Sequence, residues 1–369
     1  GASIVASDDH LWTVVSRASR RAWSEVPTTW ATEAWPLERS SGPCSVEGCD
    51  RLARRGVFCS AHNERQRLGI DLYLPMGARR SAVRSLTSAV TLTTTGLVSA
   101  GLRDGAEYRW AIHIAETLEL PDEWLPLDPY VLGAWLGDGY SAGGRITVGM
   151  QDRDAIEALL SDCGERIRWG TGSGVDNAQV IGLTSRLRRL GVLNRKHVPS
   201  LYMRASAKQR LGLLQGLMDT DGTVDARRRR ATFTSTRQVL AHASYELAAS
   251  LGFRPSIHES VATLDGRQIG PKWLVTIPFT QASLPLFRLP RKVARLGGAE
   301  GMATNASVHL LTAVEPVGAR QVRCITVDSP SSLYLAGEAM VPTHNSTSVE
   351  AAVVALGARR RRRYTLYVS

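Results

Sequence analysis

No stretch of this 369-residue chain comes near the roughly 20 consecutive apolar residues that a helix needs to span a bilayer, and no secretory leader is visible. A membrane partner is therefore not expected, and the cytoplasm is the expected location. Tandem repeats are absent, which excludes solenoid and propeller architectures. Cysteine is scarce and odd in number, five in all, so a secreted disulfide framework is also excluded. Acidic residues are in deficit, 34 against 45 Lys and Arg, leaving a formal net charge of +11. The excess is spread over residues 227–230, the stretch around Arg188, the stretch around Lys292 and residues 359–363. Spread basic charge suits a polyanionic partner, with plainly solvated faces as the alternative.

With 43% apolar and 21% charged residues, the chain is a folded globular protein of two to three domains. Three of the cysteines cluster with a histidine: Cys44, Cys49, Cys59 and His62 form a C-x4-C-x9-C-x2-H pattern. A tight turn at Gly48 would aim one pair of ligands, and a helix start at Ser60 would present the other. Four soft or borderline ligands at this spacing suit a closed, structural zinc site, against chance clustering of cytosolic cysteines. The flanking Arg51, Arg54, Arg55, Arg65 and Arg67 allow DNA contact or serve as surface charge.

Two segments carry more information. "YVLGAWLGDGY" and "LLQGLMDTDGTV" each read as a short apolar helix with an internal glycine, Gly133 or Gly216, ending on Asp138-Gly139 or Asp221-Gly222. A glycine inside a helix costs about 1 kcal/mol against alanine, and close packing of one backbone on the other supplies the reason. Helices packed in that way bring Asp138 and Asp221 together, and a divalent cation relieves the conflict of adjacent carboxylates. Metal-assisted phosphodiester hydrolysis needs that arrangement. Two unrelated capped helices are the bland alternative.

Both segments resemble the LAGLIDADG motif of homing endonucleases, and residues 125–297 resemble the endonuclease domain found inside inteins. The resemblance implies two αββ-type repeats whose sheets form a saddle over double-stranded DNA. It carries over Asp138 and Asp221 as magnesium ligands, with Lys196, Arg291 and Lys292 as candidates to act at phosphate. Glutamine, arginine and threonine side chains on the sheets would read bases in the major groove.

The two ends agree with an intein. "GASIVASDDHLWTV" resembles an intein motif with Ser or Thr three residues before histidine, here Ser7 and His10, and "VRCITVDSPSSLYLAGEAMVPTHN" resembles the two closing motifs. His344-Asn345 ends the second of these, and Ser346 opens the flanking protein. Asn345 can cleave its own peptide bond by cyclising, with His344 as proton donor and acceptor. Ser346 can accept the upstream segment as an ester, and His10 can polarise the upstream scissile amide. Cys324 stands where many inteins carry Asp; with Trp12 and Thr343 it resembles the class 3 signature. That resemblance implies that Cys324 attacks the upstream junction directly and passes a branched thioester to Ser346, while Trp12 and Thr343 support or position the thiolate. A buried small apolar residue is the alternative for Cys324. Only nine residues precede His10, so the front of the splicing domain is expected to be missing.

The implied fold class is mixed α+β: a β-rich Hint-type splicing domain, an inserted α/β LAGLIDADG endonuclease and a small zinc-binding module. The expected divisions are residues 1–35 for the front of the splicing domain, 36–77 for the zinc insertion and 78–124 for the continuation of the splicing domain. The endonuclease then occupies 125–299, the end of the splicing domain 300–345 and the flanking host protein (extein) 346–369. "AVTLTTTGLVSAG" is expected to be strand, and "VHLLTAVEPV" and "VRCITVDSP" are expected to pair with the front strands. The end of the chain resembles the equivalent part of phage terminase large subunits, with Ser346 completing a phosphate-binding loop once spliced. A monomer is expected. The rival function is a free-standing or splicing-defective endonuclease, or a DNA-binding protein, with a zinc module.

Overall fold

The structure, a computed structural model, describes residues 3–24, 89–171, 174–278, 284–296, 307–317, 325, 327–329 and 331–345. The proposed zinc ligands Cys44, Cys49, Cys59 and His62 lie outside the described residues, as do Cys324, Ser346 and the helix expected after it. Two compact units divide the chain. The smaller holds Trp12–Ala111 and Leu310–Val314, and the larger holds Gly1–Leu11, Ile112–His309 and Glu315–Ser369.

In the smaller unit, β1 (Leu11–Ser16) leads into α1 (Arg17–Ser24). Next comes β2 (Val90–Thr93), followed by α2 (Thr94–Ala100). The expected strand therefore stops at Thr93. Its hydroxyl accepts from the Gly96 amide at 2.9 Å and caps a helix, and that helix buries Leu97 completely. Local capping decides the structure here, against the β-branched composition. A short hairpin of β3 (Arg103–Asp104) and β4 (Glu107–Tyr108) leads to β5 (Trp110–His113). β5 pairs antiparallel with β1, with Ser16 opposite Trp110. Arg20 fastens α1 by donating to the carbonyls of Val15, Tyr108 and Arg109.

The larger unit contains two related halves. The first runs α3 (Pro129–Asp138), β6 (Arg145–Gly149), α4 (Arg153–Asp162), β7 (Ile167–Thr171), β8 (Val175–Val180) and α5 (Leu183–Arg189), with strand order β6-β8-β7. After α6 (Ser200–Met203), the second half runs α7 (Ala207–Asp221), β9 (Gly222–Asp225), β10 (Arg230–Ser235), α8 (Gln238–Ser250), β11 (Ser256–Leu264) and β12 (Arg267–Pro278). Its strand order is β11-β12-β10-β9. Each half thus places a helix between its strands, more than an αββ pattern predicts. In the first half the strand after the helix shrinks to one bridge, Gly139 to Ile146, where the second half pairs Gly222 with Phe233.

Alternation buries one face of each sheet. Ile146, Val148, Ala178 and Val180 point inward in the first, and Ala231, Phe233, Val275 and Ile277 in the second. β11 and β12 continue as a two-stranded ribbon past the end of β10, which pairs with β12 only over residues 273–278. The ribbon closes on Asp265-Gly266, both at positive φ, the turn chemistry a tight hairpin requires. Then follow α9 (Pro290–Leu296), β13 (Val308–Leu310), β14 (Leu333–Ala336) and β15 (Val341–His344). β13 completes a sheet of order β13-β5-β1-β2, so only the first three residues of the expected "VHLLTAVEPV" strand are strand. β14 and β15 form an antiparallel hairpin. No helix among the described residues is long and apolar enough to cross a membrane.

Candidate functional site

The first site is built on α3 and α7. Asp128 caps α3 by accepting from the amides of Tyr130 and Val131, and Pro129 fits the first turn, where its missing N–H costs nothing. α7 opens on a capping box in which Ser206 and Gln209 satisfy each other's backbone. Both helices are apolar nearly all round and belong to the core, with Val131, Leu132, Trp135, Leu213, Leu214 and Leu217 fully buried. They meet backbone to backbone. A Cβ on Gly133 would lie 2.2 Å from the Leu213 carbonyl oxygen, and one on Gly216 would lie 2.3 Å from that of Tyr130. A Cβ on Gly137 would meet Thr220 and come within 3.3 Å of Asp221 Oδ2, so the two helix ends abut.

Asp138 and Asp221 therefore end adjacent helices. Burial pushes both carboxyls above the usual aspartate range; Asp221, with Asp138's charge adding to its burial, reaches about 6. Two buried lysines stand at the same ends. Lys196 Nζ donates to the carbonyls of Leu136 and Gly137 at 3.1 and 2.8 Å, over the ring of Trp135. Lys292 Nζ reaches the carbonyls of Met218, Asp219, Thr220 and Gly222, the closest at 2.6 Å. Each lysine satisfies helix-end carbonyls and meets the negative end of a helix dipole. Burial lowers both ammonium groups to about 8, against the pull of nearby carboxylates. Arg291, the third candidate at phosphate, holds Asp152 through Nε and Nη2 at 2.5 and 2.6 Å.

A pair of carboxylates that burial disfavours in the charged form offers the hard oxygen donors that magnesium prefers, so the residues fit the ion. Among the described residues no group of three or more His, Cys, Asp or Glu side chains stands ready to hold a metal. The second acidic residue of the motif, Asp219, is absent from the sequence reading, and the structure gives it a different task. It accepts from the Tyr130 hydroxyl and from the amides of Arg288 and Leu289, and is 3% exposed. Helical period separates its role from that of Asp221, since positions two apart point to opposite sides.

The second site gathers residues from the two ends of the larger unit. His10 Nε2 and Thr343 Oγ1 are 2.6 Å apart, both buried. Burial, then the neighbouring His344, lowers the His10 imidazole below its ordinary value, while Asp9 opposes the shift. Burial also lowers His344. Asn345 is buried, and its amide donates to the Ser332 carbonyl at 2.9 Å. Ser7 donates to Asp9 at 2.6 Å, and its carbonyl receives the His10 amide. In the smaller unit, Trp12 is buried and donates its indole N–H to Thr94.

Residues 208–276, from α7 to β12, match the family model of a LAGLIDADG-like domain. Over 234 residues the chain is 40% identical to a replicative DNA helicase DnaB of Mycobacterium intracellulare, covering 63% of this chain and 37% of that one. It is 48% identical over 58 residues to the replicative DNA helicase DnaB of Mycobacterium leprae (strain TN), covering 16% and 9%. The chain thus spans little more than a third of the first of these relatives. Only 24 residues follow Asn345, so most of the 234 aligned residues lie before Ser346, within the segment read as an insert. The relatives carry a helicase name, and the terminase likeness of residues 346–369 finds no support among them. Among solved structures, the chain is similar to mesophilic variants of the homing endonuclease I-DmoI, with 18% identity, a TM-score of 0.33 and coverage of 46% of this chain and 96% of that one. It is also similar to I-DmoI in complex with DNA and Ca, at 17% identity and a TM-score of 0.33, with the same coverage of both chains.

Proposed function

We propose that the LAGLIDADG-like domain is a homing endonuclease that cuts double-stranded DNA, and that it sits in an intein interrupting a replicative helicase like the relatives. The observation that carries the nuclease reading is the Asp138 and Asp221 pair at the abutting ends of two glycine-contacted helices. A magnesium ion bound there would polarise the scissile phosphate and supply an activated water. Asp138 and Asp221 bind and orient. Lys196 and Lys292 place positive charge next to the carboxylates while their Nζ groups serve helix-end carbonyls, so they would steady phosphate charge through their field. The outward sheet residues Arg145, Thr147, Asn177 and Gln179, with Thr223, Thr232 and Thr276, offer the donors and acceptors that base edges need.

Support for splicing comes from His10 against Thr343 and from Asn345 buried at the end of β15. A neutral His10 can accept or share the threonine proton, and the backbone N–H of Asn345 is held by the Ser332 carbonyl, on the amino side of the bond it would cleave. Cys324, Ser346 and Trp12 keep the roles the class 3 resemblance implies, as do the zinc ligands. The reaction belongs in the cytoplasm of the host cell, with the flanking exteins as partners and a monomer as the acting form.

Cleavage of DNA spanning the uninterrupted helicase gene should require magnesium and disappear in Asp138→Asn. Continued cutting by that variant rejects the carboxylate role. Release of residues 346–369, read by mass spectrometry, should vanish in Asn345→Ala, and undiminished release would remove the cyclisation reading.

A further inference from the structure

α8 has two working sides. One packs under β10 and β12, on the face opposite their outward polar residues. The other meets the tip of the β14–β15 hairpin. There His242 Nδ1 lies 2.7 Å from Glu338 Oε2. Tyr245, one helical turn along, is raised by burial and then by the charge of Glu338, so Glu338 faces both residues. A groove at this place is lined by Met203, Arg204, Val239, His242, Glu246 and Glu338, with Arg204 paired to Glu246 at 3.0 Å. Beside Glu338, the tip residues Ala339, Met340 and Val341 are each less than a tenth exposed.

The other end of the hairpin carries the splicing residues. Four rungs, from Ala336 opposite Val341 to Leu333 opposite His344, separate the tip from Asn345, whose amide is held by Ser332. The two strands carry position along the hairpin because the backbone groups that face each other are paired at every rung from tip to end. A side-chain pair this exposed contributes little affinity on its own. Beside a buried apolar tip, its effect is to select one orientation of the hairpin.

We propose that α8 of the LAGLIDADG-like domain is the seat of the hairpin that ends in Asn345, with His242 as a positioning residue acting through Glu338. The part concerning Asn345 rests on the splicing reading; the seating does not. A folded second repeat would then be needed to present the cleavable bond, tying the two activities of the chain together through structure.

The test uses the full chain and two readouts: hydrogen exchange of the amides in residues 333–345, and release of residues 346–369. His242→Ala and Glu338→Lys should each speed exchange in the hairpin by roughly two- to fivefold, the range expected for losing one such pair, and slow release. His242→Lys should restore both, since it returns an N–H donor to Glu338, and magnesium-dependent DNA cutting by His242→Ala should be unchanged. Exchange indifferent to both disruptive variants overturns the proposal. If exchange responds but even the unaltered chain shows no Asn345-dependent release, the seat stands and the splicing reading falls. If release depends on Asn345 while neither readout responds to the variants, the splicing reading stands and the seat falls.

Discussion

Asp221 is raised to about 6 in the folded chain from 3.8, so the folded state prefers its neutral form. The stability this group contributes is fully present below about pH 4 and is lost as pH rises through about 6. Asp221→Asn should therefore stabilise the metal-free chain by about 1–2 kcal/mol at pH 7.5 and by little at pH 4, while abolishing DNA cutting. Denaturation midpoints at the two pH values check the first part, and a gap that fails to widen with pH would contradict it. In the unaltered protein, cutting should fall in acid through about pH 6 as protons displace metal. The glycines of the helix pair separate in the same way. Gly133→Ala drives a methyl into the Leu213 carbonyl and should cost about 3 kcal/mol, whereas the Gly212 position leaves 3.6 Å to its nearest neighbour. Gly212→Ala should be neutral or stabilise by up to about 1 kcal/mol through helix propensity. Thermal melts of the two variants give the comparison.

At the scale of elements, the helix ends depend on lysines that sequence reading assigned to phosphate. Lys292 reaches four carbonyls around the end of α7 and Lys196 reaches two at the end of α3. Replacing either by Met leaves buried carbonyls without a donor, at about 1–3 kcal/mol per site. Lys292→Met should lower the melting temperature more than Lys196→Met, and equal shifts would argue that only one or two of the Lys292 contacts matter. The acidic helix ends were legible in the sequence because an Asp-Gly step closes each apolar, glycine-bearing segment. The α2 helix was not, because one hydroxyl, Thr93, overrides seven residues of strand-like composition. Nor was the task of Asp219, whose partners Tyr130 and Arg288 lie 89 and 69 residues away along the chain.

For the whole molecule, the informative fact is that residues from both ends of the chain and the two glycine-contacted helices share one compact unit. Motif order could not reveal this, since the hairpin seat on α8 joins a histidine and a glutamate 96 positions apart, and the motif that holds Glu338 names no partner for it. Blocking release with Asn345→Ala should leave DNA cutting intact, and blocking cutting with Asp138→Asn should leave release intact. Loss of both activities in either variant would mean the two sites are not chemically separate. The ribbon of β11 and β12 adds a physical scale to the nuclease reading. From Lys272 to Arg267 it runs beyond β10 for six residues, about 20 Å at the rise of a strand. Laid along a duplex, that length acts as a ruler of about six base pairs, so trimming the ribbon should shorten the DNA sequence required on one side of the cut without moving the cut itself.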